Sequence, residues 1–161
     1  MSFSSFQFQL QQLQVNCSAL LAGERNYIAN AANIASCVFH SLTDVNWVGF
    51  YFIDTSSSSK ELVLGPFQGK PACIRIPFGK GVCGTVALTA QTIVVDDVHL
   101  FEGHIACDSD SNSEIVIPII KNNVLIGVFD IDSPIKKRFS HEDVLLLEKI
   151  VYLYCEASEF S

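Results

Sequence analysis

The chain has 161 residues, 49% of them hydrophobic, enough for one domain built around one core. Ten Lys and Arg stand against 17 Asp and Glu, and the formal charge of -7 argues against a nucleic-acid partner, which needs clustered cations. No apolar run approaches the roughly 20 residues that a membrane-spanning helix needs, and the first fifteen residues, MSFSSFQFQLQQLQV, lack the cations and cleavage pattern of a signal peptide. The expectation is a single domain over residues 1–161 in the cytoplasm, or the nucleus, where thiols stay reduced.

Phe6, Leu10, Leu13, Cys17 and Leu20 recur at spacings of three and four, the period of an amphipathic helix, and Gly23 follows as its stop. Tyr27, Ala31, Ile34, Val38 and Leu42 repeat that period, so a second helix is expected from Glu24 to Leu42. The texture then changes. VNWVGFYFID is an aromatic and β-branched run of strand length, suited to a central strand covered on both faces. TSSSSK and ELVLGPF read as a flexible tip followed by a second strand, and CIRI (73–76) as a brief third. PFGKG is a turn into a short helix starting near Val82, and TIVV (92–95) is another strand.

Residues 96–113, DDVHLFEGHIACDSDSNS, form the longest stretch without a period and read as a candidate lid. EIVIPII and VLIGVFDID flank Asn122-Asn123, a pair that tolerates positive φ and suits a tight hairpin. Ser140 and Asp143 make a capping-box start for a last helix striped by Val144, Leu147, Ile150, Val151 and Tyr154. This order gives an α+β (mixed α/β) domain with a largely antiparallel sheet. The terminal helices should pack on one face and leave the other for the short helix and a pocket.

Two glycine motifs resemble phosphate loops. Gly65-Pro66-Phe67-Gln68-Gly69-Lys70 has one residue too few between its glycines and Pro71 where Ser or Thr belongs, so it is set aside. Gly79-Lys80-Gly81-Val82-Cys83-Gly84 fits GxGxxG literally, but no repeated βαβ units surround it and no acid follows about twenty positions on. The simpler reading is a tight turn that leaves Cys83 in the first turn of a helix, where the dipole favours a thiolate or an anionic group. His99, His104, Cys107 and Cys83 form a possible zinc set, although no CxxC or HxxxH spacing supports one and no metal is expected.

Of the six cysteines, Cys17, Cys37 and Cys155 fall on helix faces and behave as small hydrophobes. Cys73, Cys83 and Cys107 sit beside a strand, in a glycine turn and in an acidic loop, places that permit exposure and redox work. Asp130 and Asp132 lie two apart in VFDID and so share one face of a strand, while Glu114 opens the preceding strand. Such acids either finish turns at a strand end or gather to bind an ammonium group and donate a proton.

NWVGFYF, LGPFQGKPACIRIPFGKGVCGTV, HIACDSDSNSEIVIPI and IGVFDIDSP together resemble the free methionine-(R)-sulfoxide reductases of the GAF family, over about residues 44–140. The resemblance implies a GAF-type domain, a homodimer, and a thiol reductase that turns free methionine (R)-sulfoxide into methionine with no bound cofactor. It makes Cys107 the thiol that attacks the sulfoxide sulfur and Cys83 the partner that resolves the sulfenic acid to a disulfide, with Cys73 auxiliary and thioredoxin as the external reductant. It makes Glu114, Asp130 and Asp132 the acids that hold the substrate ammonium and protonate its oxygen. Trp47 and Tyr51 become the aromatic wall around the methyl end. GAF domains in general are sensory modules, so a ligand-binding sensor without turnover is the rival expectation.

Overall fold

The computed structural model describes residues 3–56, 58–103 and 110–160. Helices α1 (Phe3–Leu21) and α2 (Tyr27–Ser41) lead into strands β1 (Trp47–Ile53), β2 (Glu61–Gly69) and β3 (Arg75–Pro77), then helix α3 (Gly81–Thr89). Strand β4 (Ile93–Val95), a 3-10 turn (Val98–Leu100), strands β5 (Ser113–Lys121) and β6 (Val124–Ser133), and helix α4 (His141–Ala157) complete it. Among the described residues the strands form one sheet in the order β3-β2-β1-β6-β5-β4, with every neighbouring pair antiparallel. The expected α+β class and antiparallel sheet are what the chain adopts.

Period-2 alternation divides the sheet into two faces. Val48, Phe50, Phe129, Ile131, Ile115 and Ile117 face α1, α2 and α4, whose Leu13, Ile34, Val38, Leu147, Ile150 and Tyr154 complete the larger core. On the opposite face Trp47, Tyr51, Val116 and Val128 meet Leu62, Ile76 and the α3 residues Val82, Cys83 and Val86. The helices therefore build stability on one side, and a thinner layer holds a cavity on the other.

Local chemistry explains where elements differ from expectation. α2 begins at Tyr27 because Glu24 turns its carboxylate onto the amides of Arg25 and Asn26, both at 2.7 Å, and Asn26 caps the helix by accepting from the Ala29 amide. On α1 the buried stripe runs Leu10, Leu13, Cys17, Leu21, and Leu20 lies 41% exposed, since the step of four from Cys17 stays on the core side. The GPF run is strand, as expected, but irregular: Gly65 and Pro66 bulge opposite Phe50, where a residue without an amide hydrogen is tolerated. Asn122 and Asn123 take φ of 52° and 62°, the hairpin expected of them. Ser140 and Asp143 form the expected capping box.

Candidate active site

The sheet register assembles the acids. Asp132 on β6 pairs with both Trp47 on β1 and Glu114 on β5, and one step along, Asp130 pairs with Gly49 and Val116. Equal parity sends Trp47, Tyr51, Glu114, Asp130 and Asp132 to the face away from the helical layer. All five line one cavity of about 540 Å3, mouth included, together with Cys83, Ser111, Lys80 and the Pro71-Ala72 edge.

The aromatic wall needs a glycine. A Cβ on Gly49 would sit 2.3 Å from the Trp47 ring, so only glycine lets that indole lie across the strand. The indole stacks on Tyr51 at 5.9 Å and on Phe67 at 5.4 Å between centroids. Its Nε1 donates to the Lys70 carbonyl, and the Tyr51 hydroxyl donates to the Cys73 carbonyl, both at 3.0 Å. The two aromatics thus line the cavity and hold the segment that carries Cys73.

α3 delivers Cys83. Gly84 abuts the Pro77 carbonyl so closely that an added Cβ would lie 2.4 Å from it, and this seats the first turn of α3 against β6. Cys83 is 4% exposed, and its Sγ donates to Asp130 Oδ2 at 3.2 Å. Burial, reinforced by the negative charges of Asp130 and Glu114, pushes the thiol well above its ordinary value. The thiolate expected at this helix start is therefore reversed: desolvation and two acids outweigh the helix dipole. The same burial raises Glu114, with Asp132 adding repulsion, and raises Asp130, with Glu114 adding to it. Two carboxyls buried side by side in one pocket are both shifted toward the protonated form.

Cys73 is disulfide-bonded, whereas the Cys83 thiol is free. Cys83, expected to resolve the sulfenic acid, is thus outside any disulfide here, and Cys73, expected as the auxiliary thiol, is within one. Cys107 and His104, with the 104–109 part of the expected lid, lie outside the described residues. His99 is an exposed residue of the 3-10 turn whose ring meets Asn112, away from the cavity, so it does not join Cys83 in a zinc set. Cys17 and Cys155 are buried and Cys37 half-buried in the helical layer. The GxGxxG run is the turn into α3, with Gly79 and Gly81 at positive φ.

Sequence reasoning missed Lys80 and Ser111. Lys80 precedes α3 and is an exposed cation beside the acids, signalled only by its place between two turn glycines. Ser111 accepts from Asn46 Nδ2 at 3.2 Å, a link across 65 residues that no local pattern records. At the mouth an ion pair joins Lys70 to Asp110.

An antiparallel six-stranded sheet with a helical layer behind and a cavity in front defines an α+β module. The family model for the GAF domain matches residues 27–154, and the chain belongs to the GAF-domain family. It is 51% identical to a free methionine-R-sulfoxide reductase of Escherichia coli over 134 residues, covering 83% of this chain and 79% of that protein. It is 44% identical to a protein of the same name from Saccharomyces cerevisiae over 156 residues, covering 94% of this chain and 86% of that one. Its fold overlays a free methionine-R-sulfoxide reductase of Neisseria meningitidis, solved in complex with its substrate, with a TM-score of 0.87 and 40% identity over 92% of this chain and 87% of the other. Within the GAF domains, the family of this chain is that of the free methionine-R-sulfoxide reductases.

Proposed function

We propose that this chain reduces free methionine (R)-sulfoxide to methionine at the cavity between β1, β5, β6 and α3. One observation carries the reading: Glu114 and Asp130 are buried at 6% exposure each, raised well above ordinary carboxyls, and aligned beside a free thiol and an aromatic wall. A sulfoxide oxygen is displaced only once protonated, and carboxyls that burial shifts toward the protonated form suit that role. Asp132, half-buried at the cavity edge, attracts the substrate ammonium, while Trp47 and Tyr51 enclose the methyl and sulfur. A methionine inside a peptide has no free ammonium to offer, which supports selection of the free amino acid.

In this proposal the Cys107 thiol attacks the substrate sulfur as the acid pair protonates the oxygen, the hydroxyl then passes from that sulfur to Cys107 as the new S–S bond breaks, and methionine leaves with Cys107 as sulfenic acid. A second thiol condenses with it, releasing water and forming a disulfide. Cys73 is the better candidate for that second thiol, because it takes part in a disulfide here while Cys83 is free and donates to Asp130. Cys83 then serves by holding the acid in place. A thioredoxin-type dithiol returns the two electrons by exchange, with no bound cofactor. A cytoplasmic homodimer is the accompanying proposal.

Thiol counting over a single turnover tests this. The reduced chain should lose two thiols for each methionine released, Cys107→Ser should release none, and Cys73→Ser should release one equivalent and stall. A chain that binds the sulfoxide with no change in thiols would be a sensor, and the proposal would fall.

A further inference from the structure

Cys83, Glu114 and Asp130 offer one sulfur and two carboxylate oxygens that all lie within 4.8 Å of one another. Each comes from a different element, α3, β5 and β6, so the grouping is set by tertiary structure. All three residues are buried, and Asp130 Oδ1 is shut off from solvent without a hydrogen-bond partner. A buried carboxylate oxygen with no donor is costly until a proton or a cation meets it.

The dimensions favour a cation. Zinc bonds of about 2.3 Å to sulfur and 2.0–2.2 Å to oxygen, in a tetrahedron, place ligand atoms about 3.5 Å apart. Cys83 Sγ and Asp130 Oδ2 stand 3.2 Å apart, close to that spacing, and the Glu114 oxygen lies within 4.8 Å of both. A thiolate in the set selects Zn2+ over Mg2+ and Ca2+, which prefer oxygen alone. All three residues line the cavity, and zinc held by three protein ligands takes water in its fourth position.

We propose that Cys83, Glu114 and Asp130 bind one Zn2+ ion in exchange for their protons, and that zinc at this site excludes the substrate. The exclusion half rests on the proposed reductase function, because it takes these acids as the ones that meet the sulfoxide. On binding, the protons that the cluster carries pass to solvent and the ion takes their place. No proton then remains for the sulfoxide oxygen, and a divalent ion repels the substrate ammonium from the adjoining Asp132. The cluster thus becomes a reversible zinc-sensitive brake that leaves the cysteines reduced.

The test uses the reduced, metal-free full chain, titrated with Zn2+ against a chromophoric chelator and with Co2+ for its thiolate charge-transfer absorption. One ion per chain is expected. Cys83→Ala and Asp130→Asn should each weaken zinc at least about tenfold and abolish the cobalt band. Cys17→Ala, which removes a thiol from the opposite face of the sheet, should change neither. Melting curves of the metal-free variants report whether each folds, and Cys83→Ala alone suffices if Asp130→Asn does not. Equal zinc binding by Cys83→Ala and the unmodified chain, or no zinc bound at all, would overturn the site. Zinc affinity should also fall as free methionine sulfoxide is added, and an unchanged affinity would overturn the exclusion. Since binding is read without turnover, failure of the site is distinct from failure of the reductase function, which would appear as no methionine released by the zinc-free chain.

Discussion

Asp130 meets the Cys83 thiol and the Glu114 carboxyl in the buried part of the cavity, where burial shifts both acids toward the protonated form. Because their folded-state values are raised, the native chain binds more protons than the unfolded chain above the ordinary carboxyl values of 3.8 and 4.5. Their contribution to stability is therefore full below those values and is lost as pH climbs through the raised ones. Asp130→Asn, which removes the ionising partner, should flatten the fall of Tm from about pH 4.5 upward, as thermal melts across pH would measure. Because Asn supplies no acid, kcat should drop by about 10²- to 10⁴-fold. The shared face of Asp130 and Asp132 was legible from their spacing of two. That Glu114 joins them was not, because its place depends on the β5-β6 register. The high, neutral state of Cys83 was hidden for a related reason: a glycine turn before a helix signals an exposed anion site, and only the distant strands bury it.

At the scale of elements, α3 carries Cys83 into the site and is seated by one close approach. Gly84→Ala would drive a Cβ against the Pro77 carbonyl and push the first turn outward, breaking the Cys83–Asp130 hydrogen bond. A loss of about 1–3 kcal/mol in urea unfolding is expected, with a higher KM and lower kcat in steady-state assays. The existence and type of these elements followed from periodicity: the aromatic β1, the paired strands around Asn122-Asn123 and the capped α4 each carry a local signal. Boundaries depended on competing hydrogen bonds, as where Glu24 serves the turn before α2 and leaves the cap to Asn26.

For the molecule as a whole, the sheet separates stability from chemistry. Ser140→Ala, at the cap of α4 on the helical side, should lower unfolding free energy by about 1 kcal/mol and leave kcat and KM unchanged; altered kinetics would mean that the two faces communicate. The one-domain α+β architecture was legible in the order of elements, and the pocket face in the alternation of strand residues. The cysteine that takes part in the disulfide was not, because spacing alone does not rank Cys73 against Cys83. Tyr51 and Trp47 close the cavity with their rings while their polar ends grip the carbonyls of Cys73 and Lys70. On the proposed function, selectivity and redox geometry therefore share the same two side chains. A lineage that enlarged this wall to admit bulkier sulfoxides would loosen the Cys73 segment in the same step, so a broader diet and a dependable redox cycle pull against each other in this fold.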